Sequence, residues 1–333
     1  MGQKRTTVRD LAKITGVSIA TVSRYLNQDY SSMSQATRLR IQEAVEQSGY
    51  IHNKARTKET VAVLLPSVTD PFFAMMAEHL AVALDSAGYH LQLCISQDSI
   101  EQEKRLARSL IGSNVVGILY LSTVTSEENC IEFLRNSGKP FVIMDTYLSE
   151  YNAPALVCSN GSLGIYEATK FLLASGHSSV AYISGLKLGI FEHYRYQGYV
   201  NALLDAGLAV DPEMTRFIGF SVEDGFRGFC DLLDSGAKFT AVICESDQIA
   251  AGVYRACHQR GLSIPGDMSV IGVNNTVIST VLNPPLTSLD QRMDVQVEYA
   301  IQLLQKQIRG EVSNTRVFKI DPELIHRESV CKR

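Results

Sequence analysis

Short apolar runs alternate with amphipathic stretches over residues 61–291. The runs are typical of buried strands and read VAVLLP, YHLQLCIS, VVGILYLS, PFVIMD, ALVCSN, SVAYISG, AVICES and MSVIGV. The stretches between them have helical periodicity, as in FFAMMAEHLAVALDSAG and DQIAAGVYRACHQRG, and several end in the glycine that favours a left-handed position after a helix. The alternation predicts an α/β fold of parallel βαβ units with helices on both faces of the sheet.

The strands are too numerous for one sheet of this type, and a similar series starts again near residues 158–161. We therefore expect two doubly wound parallel sheets in a two-lobed core over residues 61–333, completed by the later strands TRVFKID and ELIHRES. The predicted lobes comprise about 61–159 plus 291–319 and about 160–290 plus 320–333. Such folds bind ligands at the carboxyl ends of their strands, so the crevice between the lobes is the predicted binding site.

Residues 1–50 lack strand patterns and predict a small all-α domain of three short helices. The first, TVRDLAKITG, has Thr7 as a candidate N-cap and an expected inward face of Val8, Leu11, Ala12 and Ile14. A turn after it leads to the second helix, IATVSRYLN, with Ser18 as its cap. The third, QATRLRIQEAVEQSG, is expected to bury Leu39, Ile41, Ala44 and Val45. Two helices joined by such a tight turn form a helix-turn-helix unit.

Charge is unevenly distributed along the chain. Residues 1–59 contain ten Lys and Arg against five Asp and Glu, whereas the remainder contains 21 against 30. A basic end on an acidic body predicts that the end meets a polyanion such as nucleic acid. The seven cysteines are scattered without a CxxC pair, and no segment resembles a signal peptide or a membrane span. These features predict a cytoplasmic protein with reduced thiols.

The second helix of a helix-turn-helix unit enters the major groove with its first residues toward the base edges. Here it presents Ile19 and Ala20, whose apolar side chains suit thymine methyl groups, and Arg24, whose guanidinium can recognise guanine. Hydroxyl and amide side chains that fit phosphate contacts surround it, namely Thr7, Ser18, Thr21, Ser23, Asn27, Ser34 and Thr37. An ordinary helical bundle with Ser and Thr caps is the alternative, and the clustered basic charge favours DNA binding over it.

The stretch TVRDLAKITGVSIATVSRYLN followed by MSQATRLRIQEAVEQSGY resembles the headpiece of the LacI/GalR family of bacterial transcription regulators. The resemblance continues through PSVTDPFF, GHSSVAYISG, YRYQGYVNALLDAGL, ESDQIAAGVYRA, SVIGVNNTVISTVLNPPLTSLDQ and ELIHRESV, and so covers essentially the whole chain. It implies a DNA-binding headpiece over 1–50, a hinge over 51–60, and a core over 61–333 that is similar to periplasmic sugar-binding proteins. The implied function is a homodimeric repressor of a sugar operon, bound to double-stranded operator DNA and switched by a sugar or sugar phosphate.

The resemblance also implies an effector site between the lobes, at Asp70, Phe73, Asp145, Phe191, Arg195, Ser246, Asn274 and Gln291. Carboxylate, amide and guanidinium groups with flanking Phe rings suit a sugar or a similar polyol. Asp70 has an alternative role as the cap of the helix that follows it. Relatives usually carry an acid where Asn274 stands and often Asn where Ser246 stands. An amide in place of a carboxylate tolerates a negative ligand, so a phosphorylated sugar is as consistent as a neutral one.

The hinge segment HNKARTKET departs from the family pattern. Asn53 is separated from Ala55 and Arg56 by Lys54 alone, and the leucine that relatives insert into the minor groove is absent. Asn53, Lys54 and Arg56 remain candidates for DNA contact. We expect weaker operator bending, or a different spacing of half-sites, than in relatives.

Three other interpretations compete with a ligand-relieved repressor. An enzyme is disfavoured because the chain has no GxSxG, HExxH, Walker A or GxGxxG motif and its histidines lack metal-ligand spacing, so no cofactor or metal is expected. A plain solute-binding protein is disfavoured by the basic helix-turn-helix and by the lack of a signal peptide. A regulator that uses a corepressor, either a small molecule or a partner protein, stays open.

Overall fold

The chain forms two compact units, Met1–Glu59 and Thr60–Arg333. A computed structural model describes residues 6–26, 29–31, 33–48, 50, 58–123, 130–145, 155–185, 194–311 and 317–333. Within these ranges, no helix combines the length and the apolar character needed to cross a membrane.

The first unit contains the helices α1 (Val8–Thr15), α2 (Ile19–Leu26) and α3 (Gln35–Ser48). Thr7 and Asp10 cap α1 reciprocally, since the Thr7 hydroxyl accepts from the Asp10 amide at 3.3 Å and the Asp10 carboxylate accepts from the Thr7 amide at 2.9 Å. Gly16 ends α1 with a left-handed φ of +66°, which turns the chain sharply into α2. One buried cluster joins the three helices, namely Leu11, Ala12, Val22, Leu26, Ile41 and Ala44.

Two residues that were expected inside this unit lie at its surface, because Ile14 is 61% exposed and Leu39 is 51% exposed. In α1 the inward face is completed by Thr15, which is buried and donates its hydroxyl to the Leu11 carbonyl oxygen at 2.7 Å. In α3, Leu39 lies two residues before the fully buried Ile41, which places it about 200° around the helix. The predicted inward positions of Ile14 and Leu39 were therefore wrong.

The second unit is built on two six-stranded sheets. In chain order the strands are β1 (Glu59–Leu65), β2 (Tyr89–Ile95), β3 (Gly117–Tyr120), β4 (Phe141–Met144), β5 (Leu156–Ser159), β6 (Val180–Ser184), β7 (Thr215–Phe217), β8 (Ala241–Cys244), β9 (Ser269–Val273), β10 (Thr287–Asp290), β11 (Val317–Ile320) and β12 (Glu323–Ile325). The first sheet has the order β11-β5-β4-β3-β1-β2 and the second the order β12-β10-β9-β8-β6-β7. Parallel register joins β1 to β3 and β6 to β8, whereas β12 runs antiparallel to β10.

Helices cover both faces of each sheet. The first sheet packs against α4 (Pro71–Ser86), α5 (Ile100–Ile111), α6 (Ile131–Asn136) and α12 (Met293–Ile308). The second packs against α7 (Gly161–Ala174), α8 (Tyr194–Asp205), α9 (Val222–Asp234) and α10 (Asp247–Arg260), with the short α11 (Val277–Val281) following β9. We call the two assemblies the first lobe and the second lobe.

The predicted fold class is confirmed, as two doubly wound α/β lobes preceded by an all-α helix-turn-helix unit. Every residue of β3, β4 and β6 is buried, which explains why these strands appear in the sequence as continuous apolar runs. The edge strand β7 was not predicted from the sequence. It has three residues and includes a partly exposed arginine, so it carries no apolar run.

The chain passes between the lobes three times. We call residues 159–161 crossover 1, residues 290–293 crossover 2 and residues 320–323 crossover 3, since each connects an element of one lobe to an element of the other. All three follow the carboxyl ends of strands, and they therefore lie on the side of the sheets where doubly wound folds bind ligands.

Candidate functional site

A cavity of about 510 Å³ lies between the two lobes of the second unit. This volume suits a small organic molecule such as a sugar or a nucleoside. Its walls come from strand ends and helix starts of both lobes. From the first lobe they are Ser67, Thr69, Asp70, Phe72, Phe73, Asp98, Ser122, Thr123 and Asp145, and from the second Arg195, Phe220, Ser221, Glu245, Ser246, Gln248, Asn274 and Gln291.

Seven of the eight effector-site residues named from the sequence line this cavity. They are Asp70, Phe73, Asp145, Arg195, Ser246, Asn274 and Gln291, whereas Phe191 falls outside the described residues. Their placement around one cavity is an observation, and their role in binding a ligand stays a prediction.

A buried guanidinium occupies the second-lobe side of the cavity. Arg195 is 6% exposed, and its Nη2 donates to Gln291 Oε1 at 3.1 Å while Nη1 donates to the Glu245 carbonyl oxygen at 3.4 Å. Gln291 in turn donates its amide Nε2 to Asn274 Oδ1. This chain fixes the orientation of both amide side chains, so their donor and acceptor groups are prearranged for hydroxyl groups of a ligand.

Asp145 faces the same guanidinium from the first lobe. It follows β4 with a left-handed φ of +43°. Burial raises the pKa of Asp145 to about 6, although the nearby charge of Arg195 and the amide of Ser159 act in the opposite direction. Burial of this carboxyl group disfavours its ionised form. A carboxyl group with such a raised pKa in a cavity is typical of a functional site rather than of a stabilising contact.

Replacing Asp145 with asparagine should stabilise the second unit by about 1–3 kcal/mol at neutral pH. A raised pKa means that the protonated carboxyl favours the folded state, so its stabilising contribution is complete below 3.8 and is lost as the pH rises through about 6. The advantage of Asp145→Asn should therefore be small at pH 4.5 and large at pH 7.5 when both proteins are unfolded in urea. Asp231→Asn, on the exposed face of α9, is the control. An equal difference at both pH values would contradict the assignment.

Asp70 caps the helix that follows it and also bonds to the second lobe, while its role in ligand binding stays a prediction. Its Oδ1 accepts from the Phe72 amide at 2.8 Å and caps α4, while its Oδ2 accepts from Gln248 Nε2 at 3.0 Å. Gln248 belongs to the second lobe, so this second bond joins the lobes across the cavity. Burial raises the pKa of Asp70, and the neighbouring carboxylate of Asp98 raises it further.

Ser246 and Asp247 are neighbours at the start of α10 but have different roles. Ser246 is the N-cap of α10, because its Oγ accepts from the Ile249 amide at 3.1 Å. Asp247 is buried, and its Oδ2 accepts from the backbone amide of Thr276 at 2.6 Å while its Oδ1 accepts from the Ser288 hydroxyl at 2.6 Å. It thereby anchors the loop after β9, which carries Asn274 into the cavity.

Several lining residues were missed by sequence reasoning. Asp98 lies in the turn after β2 and accepts from the Thr123 hydroxyl, which follows β3, at 3.0 Å. The rule that ligands bind beyond strand ends would have found both residues. Phe220 follows the unpredicted strand β7, and Gln248 is the second residue of α10, so neither had a local signal.

The lining is acidic among the residues that the structure describes. Four of them carry carboxylates, namely Asp70, Asp98, Asp145 and Glu245, and one, Arg195, carries a permanent positive charge. The Glu245 carboxylate is turned into the second lobe, where it accepts from the hydroxyls of Tyr182 and Ser184. The other three carboxylates lie on the first-lobe wall of the cavity. Their negative electrostatic potential opposes the binding of a multiply charged anion. No cluster of metal-ligating side chains occurs in the described ranges.

The helix-turn-helix unit presents its second helix to solvent. Ile19 is 51% exposed, and Ala20, Ser23 and Arg24 are exposed beside it, while Thr21 is half-buried. Ser18 caps α2 by accepting from the Thr21 amide at 3.1 Å. Thr7 and Ser34 cap α1 and α3 in the same way, and Thr37 is the partner of Ser34, so these hydroxyls have a structural role besides any phosphate contact. Asn27, Asn53, Lys54 and Arg56 lie outside the described residues.

Comparison with known proteins matches both units. Residues 7–53 match the family of bacterial regulatory proteins called the lacI family, and residues 169–330 match a periplasmic binding protein-like domain. The HTH-type transcriptional repressor CytR of Escherichia coli K12 is 33% identical over 97% of this chain and 96% of its own length. PurR of Aliivibrio fischeri, also an HTH-type transcriptional repressor, is 30% identical over 98% of this chain and 99% of its own. The solved complex of the transcriptional regulator CelR with cellobiose superposes with a TM-score of 0.74, at 27% identity, over 98% of this chain and 100% of that chain.

A helix-turn-helix unit, followed in one chain by a two-lobed α/β unit with a ligand-sized cavity, is the architecture of a DNA-binding transcriptional regulator. The chain belongs to the LacI family of bacterial regulatory proteins, and both CytR and PurR are transcriptional repressors.

Proposed function

We propose that the protein is a cytoplasmic, homodimeric repressor that releases its operator when a neutral, polyhydroxylated molecule binds between the lobes. The observation that carries this proposal is the cavity itself, in which Arg195, Gln291 and Asn274 form one hydrogen-bonded chain opposite Asp145. Guanidinium and amide groups donate to hydroxyl oxygens, and carboxylates accept from hydroxyl protons. The ligand class is a sugar or a nucleoside, and the regulated genes would serve its uptake and catabolism.

Aromatic side chains complete the site. Phe72 and Phe73, in the first lobe, lie with their ring centroids 5.1 Å apart in an edge-to-face arrangement. Phe220 lines the cavity from the second lobe. Rings on two walls suit a flat, ring-shaped ligand with apolar C–H faces. The CelR complex contains cellobiose, a neutral sugar, in a relative that covers nearly the whole chain.

The acidic lining favours a neutral ligand over the phosphorylated sugar that the sequence left open. A phosphate dianion in this cavity would meet one guanidinium and three first-lobe carboxylates, Asp70, Asp98 and Asp145, among the described residues. The guanidinium is already engaged by Gln291 and by a backbone carbonyl. Placing a second anion beside Asp145, whose pKa already lies near 6, would raise that pKa further.

The proposed switch is a shift between two arrangements of the lobes. The bond from Gln248 to Asp70 joins the lobes across the cavity, and ligand hydroxyls that bind both walls would add to it. A ligand moves such an equilibrium only by the difference between its affinities for the two arrangements. A ligand that contacts both walls has this difference, because only the closed arrangement brings both walls to it.

Neutral ligands should raise the melting temperature of the full-length protein, and their phosphorylated counterparts should not. At a concentration about 100 times the Kd, a ligand stabilises by about 2.7 kcal/mol, which corresponds to a shift of about 5–10 °C. Matched pairs separate charge from shape, so we would test D-ribose against ribose 5-phosphate, uridine against uridine 5′-phosphate, and cellobiose alone.

Genomic DNA fragments retained by the protein would then be assayed for release by whichever compound stabilises it. Stabilisation by phosphorylated compounds only would contradict a neutral ligand. Tighter DNA binding with the compound would show that it acts as a corepressor.

A further inference from the structure

The first turn of α8 contacts all three crossovers between the lobes. Tyr194 donates its hydroxyl to Asn160 Oδ1 at 2.5 Å, and Asn160 Nδ2 donates to Asp321 Oδ1 at 2.8 Å. Asn160 lies in crossover 1 and Asp321 in crossover 3, so one tyrosine hydroxyl is linked to both. The ammonium of Lys319, in β11, lies 5.0 Å from the centre of the Tyr194 ring and adds a cation–π contact.

Arg195, the next residue, contacts crossovers 1 and 2. Its side chain lies directly on Gly161, where an added Cβ would come within 2.8 Å of the arginine Cγ and Nε atoms. Its Nη2 donates to Gln291 of crossover 2, whose own carbonyl oxygen accepts from Gln296 Nε2 at 2.7 Å. The two residues Tyr194 and Arg195 therefore connect crossovers 1, 2 and 3 within one helical turn.

Crossovers 1 and 3 are also joined directly through the backbone. The Asn160 amide donates to the Ile320 carbonyl oxygen at 2.7 Å. The ring of Pro322 packs on Gly164 so closely that an added Cβ would lie 2.5 Å from the proline Cγ. Asn160 uses its backbone N–H, its side-chain Oδ1 and its side-chain Nδ2 in this network. It is therefore the residue that joins the two crossovers to α8.

Closure of two lobes about several connecting strands requires backbone rotation within those strands. A network that spans all of them resists rotation of any one alone, so the crossovers are expected to move together. Arg195 lines the cavity as well, which places the candidate ligand-binding group and the crossover network in the same turn of the same helix.

We propose that Tyr194 and Asn160 are positioning residues of a hinge clamp that couples the three crossovers and so sets the rigidity of the hinge between the lobes. The clamp rests on the proposed function only in that movement about this hinge is taken to be the regulatory switch.

Hydrogen–deuterium exchange of the full-length, ligand-free protein, followed by mass spectrometry, tests the clamp in Tyr194→Phe. Loss of one hydrogen bond should speed exchange about fivefold in peptides covering crossovers 1 and 3, and also in crossover 2, which Tyr194 does not contact directly. Tyr166→Phe is the matched control, because the Tyr166 hydroxyl donates to Asp205 at 2.9 Å between α7 and α8, within the second lobe. This control should leave the exchange rates of all three crossovers unchanged.

A second pair of variants acts at the far end of the network. Asp321 is exposed, so its replacement leaves the core packing intact. Asp321→Ala should speed exchange at crossovers 1 and 3. Asp321→Asn should keep the exchange rates of the wild type, because its side-chain oxygen can still accept from Asn160 Nδ2.

Exchange that changes in α8 alone, or equally in the Tyr166→Phe control, would overturn the clamp. No ligand takes part in these measurements, so a failure of the ligand screen and a failure of the clamp are separate results.

Discussion

Replacing Arg195 with methionine should weaken ligand binding by about a hundredfold or more and leave DNA binding intact. Methionine keeps an unbranched stem to pack on Gly161 but removes every donor that the guanidinium offers. Asp145 would lose the positive charge that opposes the effect of burial, so its pKa would rise above 6 and it would accept hydrogen bonds less well at neutral pH. Titration calorimetry with the compound that raises the melting temperature most would measure the loss.

Arg216→Met is the matched control for this variant. Arg216 is in the second lobe and donates to the carbonyl oxygens of Glu213 and Thr215, both at 2.9 Å, but it does not line the cavity. Its replacement should leave the affinity for the ligand within about twofold of wild type, as for surface changes in general. Wild-type affinity in Arg195→Met, or an equal loss in both variants, would show that the guanidinium does not bind the ligand.

Part of the site could be predicted from the sequence because parallel strands present their carboxyl ends at one edge. Asp145 and Asn274 each follow an apolar run directly, Gln291 follows the strand β10, and all three line the cavity. Asp145 and Asn274 have left-handed φ values of +43° and +101°, which turn the chain just beyond the strand and direct their side chains to the cavity. A polar residue after a strand therefore agreed with the positions that the family resemblance implied.

Contacts that depend on how the lobes face each other had no such signal. Gln248 and Asp70 are separated by 178 positions, and their bond exists only because the two lobes meet at the cavity. The sequence also presented capping and ligand binding as alternatives for Asp70, whereas a carboxylate has two oxygens and Asp70 uses one for the cap and the other across the cavity. The local sequence pattern predicts the capping bond of Asp70, whereas its bond to Gln248 depends on how the two lobes are placed.

The helix-turn-helix unit shows why a short apolar stripe is harder to assign than a buried strand. With eight residues, α1 makes barely two turns, and either Ile14 or Thr15 is compatible with its periodicity. Thr15 is the buried one, because its hydroxyl is satisfied by the Leu11 carbonyl oxygen and its methyl group can then face the core. A hydrophobicity pattern does not show that a polar side chain can be buried when it bonds to the backbone of its own helix.

Truncation of Ile41 to alanine should unfold the first unit and abolish DNA binding while the second unit keeps its ligand affinity. Ile41 is fully buried in a core of six residues. Removing its methyl and methylene groups costs about 2–5 kcal/mol, which is comparable to the whole stability of a domain of about 60 residues. Limited trypsin digestion should cleave the variant within α3, after Arg38 or Arg40, and leave a protected fragment beginning near residue 60.

Leu39→Ala separates burial from composition, because it removes the same number of carbon atoms from the same helix at a site that is 51% exposed. Its expected cost is about 0.5 kcal/mol or less, so the unit should stay resistant to trypsin and DNA binding should persist. If Ile41→Ala resisted digestion as wild type does, the six-residue cluster would not be what holds the three helices together. If Leu39→Ala lost DNA binding without becoming sensitive to trypsin, the exposed leucine would itself belong to the DNA-binding surface.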